Sequence, residues 1–228
     1  MREIELVVFD CDGVLADSEV ISAEVLVAAL RRFDIEMDIA YVFDNFVGKS
    51  FPGVAALIRS SFDVALPPDF EAGYRAALID AFATGLKPTG ELYDMLASLG
   101  RPSCVATSSS PPRAARTLEI LGLAERFGAS VFTASQVERG KPAPDLFLFA
   151  ARNMGVAPES CLVIEDSLAG VEAAKAAGMA VWRYVGGSHF HDRNRAREGT
   201  PAGVPVFDNW NQFYLMAPDL RAAKDRNG

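Results

Sequence analysis

Two carboxylates one residue apart, Asp10 and Asp12, close a short apolar run, Leu6-Val-Val-Phe9, and Gly13 follows at once. While the chain stays extended, residues two apart point to the same side. Both carboxylates then face one site and Cys11 turns away. Carboxylates this close repel, and one pKa climbs unless a cation lies between them. The pattern serves a metal site, paired acid/base chemistry, or both. Related endings recur along the chain. Cys161-Leu-Val-Ile164 stops at Glu165-Asp166 and then Ser167, and Ser103-Cys-Val-Ala106 stops at Thr107-Ser-Ser-Ser110 ahead of Pro111-Pro112. Lys141 is held between Gly140 and Pro142 just before another helical pattern. Clustered carboxylates are hard oxygen ligands and suit Mg²⁺. Hydroxyls such as Thr107 and Ser108, backbone amides at a helix start and a lysine make a phosphate cradle. Together these groups suit phosphoryl transfer, where positioning and charge neutralisation dominate. An aspartate can be the nucleophile in such chemistry, giving an aspartyl-phosphate.

The elements that must position these groups follow from the same runs. Short apolar runs bounded by turn residues read as buried strands of a parallel sheet. Strands are predicted at Leu6–Phe9, Ser103–Ala106, Val131–Thr133, Cys161–Ile164 and Ala180–Val185, with an edge strand at Val204–Phe207. Helical patterns lie at Glu91–Leu99, Arg113–Leu121, Asp145–Met154, Leu168–Ala177 and near Trp210–Met216. This alternation specifies an α/β fold with a doubly wound, Rossmann-like parallel sheet. All strand ends then emerge on one edge, where such sheets bind ligands. Between Asp17 and about Arg101 no strand is evident; the patterns around Ser18–Phe33, Tyr41–Phe46, Gly53–Ser61 and Asp69–Phe82 are helical, with Ser18 the expected N-cap of the first. One crossover helix needs far fewer residues. The expectation is a core of residues 1–16 and 88–228 with an all-helical cap domain, 17–87, inserted after the first strand.

Composition excludes several function classes. The chain has 228 residues, half of them hydrophobic, and a net charge of −8. That is no footprint for nucleic acid, and no apolar run is long enough for a membrane span. Met1-Arg2-Glu3 leads directly into a strand, so no signal peptide is expected. Cys11, Cys104 and Cys161 are scattered and fit reduced thiols in a cytoplasmic protein. The expectation is a cytoplasmic protein, a monomer by preference, whose partner is a small phosphorylated substrate. Two motifs read down. Gly48-Lys49-Ser50 looks like the end of a P-loop, but Phe43 stands where the first glycine belongs. His189 and His191 flank Phe190 after a glycine pair, and a surface loop is expected there rather than a two-histidine metal site.

Asp10-Cys-Asp-Gly-Val-Leu15 resembles the DxDGxL signature of the haloacid dehalogenase superfamily. Thr107 matches its second motif, Lys141 in Gly-Lys-Pro-Ala-Pro-Asp145 its third, and Glu165-Asp166 its fourth, in the right order and spacing. The helical insert resembles the cap of the first subclass. The chain is similar to the phosphoglucomutase-like and sugar-phosphate phosphatase branch, and Phe9–Ile21, with Asp17-Ser-Glu19, to 6-phosphogluconate phosphatases. The resemblance implies that Asp10 attacks phosphorus and that Asp12 protonates the leaving oxygen, then activates water. It implies Mg²⁺ on Asp10, the Asp12 carbonyl and Asp166, with Glu165 direct or through water. Thr107 and Lys141 would hold the phosphoryl oxygens, with Gly13 and Ser108 beside them, and Gly48 and Lys49 would reach substrate from the cap. The implied function is a Mg²⁺-dependent phosphatase acting on a sugar or sugar-acid phosphate. A sugar phosphomutase is the alternative. It is disfavoured because Ser22 stands where the mutases place a cap histidine, and no histidine precedes His189. A phospho-accepting signalling domain resembles the core alone and lacks the insert. A dehalogenase has no use for the acid/base Asp12.

Overall fold

The computed structural model describes residues 3–46, 51–190, 196–197 and 199–223. Its centre is a six-stranded parallel sheet: β1 Leu6–Phe9, β2 Ser103–Thr107, β3 Val131–Thr133, β4 Cys161–Glu165, β5 Ala180–Tyr184 and β6 Val206–Phe207, in the order β3-β2-β1-β4-β5-β6. β1 pairs on one side with β2, Phe9 opposite Val105, and on the other with β4, Phe9 opposite Ile164. The strand order reverses between β1 and β4. The ends of those two strands therefore flank the crevice where doubly wound sheets place their ligands. β6 is shorter than Val204–Phe207. Pro205 has no amide for the ladder, and only its carbonyl takes part, accepting from the Arg183 amide.

All four residues of β1 are fully buried, because helices cover both faces of the sheet. The alternation of strand side chains divides the core in two. Val7, Phe9, Val105 and Ile164 join one cluster with Trp182, Trp210 and Phe213. Leu6, Val8, Cys104 and Val163 join the other with Phe147 and Val171. The flanking helices include α5 Leu92–Ala97, α6 Pro111–Ile120, α7 Ala124–Phe127, α8 Asp145–Met154 and α9 Leu168–Ala176.

Between β1 and α5, the described residues hold four α-helices, a 3₁₀ turn at Arg31–Phe33 and no strand: α1 Glu19–Leu30, α2 Ile39–Asn45, α3 Phe51–Phe62 and α4 Phe70–Gly85. They pack on one another through a third cluster that includes Leu26, Leu30, Val42, Ile58 and Phe70, separate from both faces of the sheet. Asp38 caps α2, its Oδ1 accepting from the Tyr41 amide at 2.7 Å. Ser18 precedes α1 without capping it through its side chain. The chain leaves the sheet and returns to it along adjacent paths: the Asp17 amide donates to the Lys87 carbonyl at 2.9 Å and Ala16 pairs with Pro88. The Thr89 hydroxyl donates to the Val14 carbonyl across the same junction. Among the described residues no helix is long and apolar enough to cross a membrane.

Candidate active site

β1 delivers Asp10, and β4 delivers Glu165 and Asp166, to neighbouring positions on one edge of the sheet. Ligand-capable oxygens of the three buried carboxylates lie within 4.8 Å of one another. Lys141, from the loop before α8, reaches in between. Its Nζ donates to Asp10 Oδ1 at 2.8 Å, Glu165 Oε1 at 2.6 Å and the Ala106 carbonyl at 3.0 Å. The Phe147 ring lies beneath the ammonium, 4.9 Å from it. Burial opposes the lysine's charge, but Asp10 and Glu165 outweigh it and hold the ammonium above the ordinary lysine range. Both oxygens of Glu165 are engaged: Oε1 takes Lys141, and Oε2 takes the Ser167 amide at 2.8 Å and hydroxyl at 2.9 Å. Ser167 also caps α9, accepting from the Gly170 amide. Room for Glu165 depends on Gly170, where a β-carbon would stand 1.8 Å from Oε1.

One lysine charge faces three carboxylates. Burial raises Asp10 well above the usual carboxylate range; Lys141 opposes this, and Glu165 and Asp166 add to it by repulsion. Burial and then Glu165 raise Asp166 in the same way. A donor set of hard oxygens that cannot all stay ionised alone fits a divalent cation.

Asp12 is held differently. Its carboxylate turns from the cluster and accepts from the Ser18 hydroxyl at 2.6 Å, the Ser109 hydroxyl at 2.5 Å and Arg113 Nη2 at 2.7 Å. Burial pushes its pKa up, but the Arg113 charge and these hydrogen bonds prevail and leave it below the ordinary range. Arg113 also reaches Ser22 Oγ on α1 at 3.2 Å and lies over the Phe82 ring of α4. Arg75 on α4 donates to Ser110 at the start of α6. A cavity of about 170 Å³ opens between the sheet edge and helices α1–α4. Asp10, Asp12, Thr107, Lys141 and Asp166 line it from the sheet side, and Glu19 and Tyr74 from the helical side.

The structure thus brings together Asp10, Asp12, Thr107, Ser108, Lys141, Glu165 and Asp166. Thr107 is buried and its Oγ1 accepts from the Ser109 amide at 3.0 Å. Gly13, expected beside the phosphate, is not on the cavity wall. Its amide donates to the Ala16 carbonyl, its φ is +76°, and a β-carbon would meet Asp166 Oδ2 at 2.1 Å. Gly13 is a spacer under Asp166. Gly48 and Lys49 of the expected cap contact, and His191, lie outside the described residues. His189 departs from the surface-loop expectation. It is 6% exposed, packed where the two preceding glycines let the chain fold tightly onto Gly13. Sequence reasoning missed Ser18 and Ser109 as partners of Asp12, and missed Arg113; it named Ser22 only as the position of a mutase histidine and Glu19 only within the Asp17-Ser-Glu19 stretch. The run Thr107-Ser-Ser-Ser110 held the signal for Ser109, and an arginine in the first turn of a helix following it was the signal for Arg113.

Glu19 carries a prediction. Burial, then repulsion from Asp12, raises its pKa to about 7, against an ordinary 4.5. The folded state therefore binds the Glu19 proton more tightly than the unfolded state. Stability is lost as pH rises from about 4.5 through about 7. Glu19→Gln should stabilise the metal-free protein by roughly 1–3 kcal/mol at pH 8 and by almost nothing at pH 4.5. Urea midpoints at the two pH values check this; an equal effect at both removes Glu19 as the titrating group.

The family model described as haloacid dehalogenase-like hydrolase matches residues 4–178. The chain is 30% identical over 190 residues to the 6-phosphogluconate phosphatase of Escherichia coli, covering 83% of this chain and 86% of that protein. It is 33% identical over 178 residues to the fructose-1-phosphate phosphatase of the same organism, covering 75% and 92%. Among solved structures, a hydrolase from Deinococcus radiodurans, with bound phosphate and sodium, superposes with a TM-score of 0.75 at 31% identity over 96% of this chain and 97% of the other.

Proposed function

Because the chain belongs to the haloacid dehalogenase-like hydrolases, we propose that it is a Mg²⁺-dependent phosphatase cleaving a sugar or sugar-acid phosphate through an aspartyl-phosphate on Asp10. The observation that carries this reading is the division of labour between the two carboxylates of β1's end. Asp10 sits against Lys141 in a carboxylate cluster, and Asp12 stands apart among hydroxyls and an arginine. Asp10 supplies the attacking oxygen, which Lys141 orients at Oδ1. Lys141 and Thr107, with Ser108 at the rim, bind the phosphoryl oxygens. Asp12, ionised at rest, takes up the proton that a phosphate monoester monoanion brings, passes it to the leaving oxygen, and later takes one from the water that opens the phospho-aspartate. The contacts that hold Asp12 ionised suit the last of these steps. Mg²⁺, held by Asp10, Asp166 and the Asp12 carbonyl, would supply neutralisation of charge on the transferred group. With both its oxygens engaged, Glu165 serves as the brace of Lys141.

Residues 17–87 act in this reading as a cap whose closure excludes water, hinged where Ala16 and Asp17 lie against Lys87 and Pro88. A mutase is disfavoured by Ser22. Its hydroxyl donates to the Ser18 carbonyl and offers no imidazole for a second phosphoryl relay.

The test is release of phosphate from a panel of phosphorylated metabolites that includes 6-phosphogluconate, fructose 1-phosphate and β-glucose 1-phosphate. Hydrolysis of a sugar or sugar-acid phosphate that needs Mg²⁺ and stops in excess EDTA is the expected result. Affinity for Mg²⁺ should rise with pH, since the raised Asp10 and Asp166 carboxyls must lose protons to bind it. Full turnover in EDTA, or conversion of β-glucose 1-phosphate to an isomer without phosphate release, would contradict the proposal.

A further inference from the structure

His189 takes no part in the chemistry above, yet it is built into the floor of the site. After β5 the chain turns through Val185-Gly-Gly-Ser188 and brings the imidazole beneath the end of β1. Its side chain is 3% exposed, and Nε2 lies 3.3 Å from Asp166 Oδ2. Among the described residues neither ring nitrogen has a hydrogen-bond partner. A buried polar group without a partner is costly, and each case calls for a reason. Packing alone would be served by an apolar ring. The backbone, moreover, is shaped around this one. A β-carbon on Gly187 would stand 2.8 Å from its Cε1 and Nδ1, and one on Gly13 3.2 Å from its Cε1. Ser188 anchors the turn, its amide and hydroxyl donating to Asp17 Oδ1 at 2.9 and 2.8 Å. The ring packs against Phe190, centroids 4.0 Å apart, and faces Phe43 of α2 at 6.1 Å. In either charge state an imidazole has at least one ring N–H to give.

We propose that His189 is a positioning residue for the cation site, its Nε2–H bracing Oδ2 of Asp166 so that the other carboxylate oxygen is held toward the ion. This rests on the reading of Asp10 and Asp166 as cation ligands. Partners that hydrogen-bond a ligating group fix its orientation, and their loss typically costs roughly 10–100-fold in metal affinity. The 3.3 Å separation is within closing distance of such a bond. The same imidazole touches α2 through Phe43 and follows the residue that ties this turn to Asp17, so the brace lies where the helical insert joins the sheet.

Mn²⁺ is the probe, titrated into the full-length protein and followed by the EPR signal of the free ion. His189→Phe fills the space without a donor and should weaken Mn²⁺ binding about 10–100-fold. His189→Gln, which keeps an N–H near the position of Nε2, should recover most of that loss. Gly187→Ala leaves the imidazole chemically intact but presses on it, and should also weaken binding; it keeps the test decisive if His189→Phe does not fold. Pulsed EPR of the wild-type Mn²⁺ complex should show no directly bound nitrogen. Unchanged affinity in His189→Phe and Gly187→Ala would overturn the inference, as would a strongly coupled nitrogen, which would make His189 a ligand. Wild-type protein that binds no Mn²⁺ would remove the cation site itself.

Discussion

Asp10→Asn should abolish turnover and raise the melting temperature of the metal-free protein. The amide cannot attack phosphorus, so no covalent intermediate forms, and loss of a nucleophile that acts with its neighbours as a unit costs on the order of 10⁴-fold or more. Stability moves the other way because Asp10 is buried against Glu165 and Asp166, with repulsion from both. Asparagine removes one charge from that crowd while Lys141 keeps Glu165 and the Ala106 carbonyl as partners. A group whose removal destroys activity and relieves strain marks a site where stability is given up for function. Steady-state assays and thermal melts on the same preparation check both halves. Residual activity near wild type would end the assignment of Asp10 as nucleophile.

Lys141→Met should damage activity and stability together. The side chain is 3% exposed and bonded to Asp10 and Glu165, so its loss strands two buried carboxylates. Breaking a buried pair from one side costs on the order of 3–5 kcal/mol. The sign of the pH dependence follows. Without the ammonium, which opposes the upward push of burial on Asp10, the folded-state pKa of Asp10 rises further above its unfolded value. The penalty is then small near the unfolded pKa and grows as pH rises through the neutral range. Urea midpoints of Lys141→Met relative to wild type should differ less at pH 5 than at pH 7.5. Turnover should fall by roughly 10²–10³-fold, as for loss of one preorganised charge-stabilising donor. A variant as stable as wild type at pH 7.5 would show that the Lys141 contacts are not what compensates the carboxylates.

The contrast between these variants bears on what the sequence could disclose. Asp10, Lys141, Glu165 and Asp166 were legible because each stands at the end of a buried strand or in a rigid loop, and a parallel sheet sends such ends to one edge. The strands were legible for a local reason: apolar runs of four or five residues, cut off by turn residues. Arg113 and Ser109 were legible as polar groups at the entrance of a helix, but not as partners of Asp12. Each acts on Asp12, 101 and 97 residues away along the chain, and nothing in the local pattern of α6 says which of its polar side chains meets a carboxylate from β1. Ser18 looked like a helix cap, and its hydroxyl instead serves Asp12, because the tertiary partner is a charged acceptor and the cap would be a neutral bond. His189 was misread because Gly186-Gly187 signals a loop. What those glycines permit here is a close backbone approach that buries the ring against Gly13 and Asp166. Gly13 was read as a phosphate contact, but its missing β-carbon makes space for Asp166.

Phosphoryl transfer is expected to pass through Asp10, with Asp12 moving protons. Rapid-quench mass spectrometry of Asp12→Asn with p-nitrophenyl phosphate tests it most directly. p-Nitrophenolate leaves with little need for an acid, so the first step survives the substitution. Opening of the phospho-aspartate still needs a base, and that step slows by roughly 10²–10⁴-fold. The account predicts a burst of nitrophenolate close to one equivalent per active site, a slow steady state after it, and a phosphoryl group on the peptide that carries Asp10. No burst and no phosphorylated Asp10 peptide, or a phosphoryl group on another residue, would contradict it.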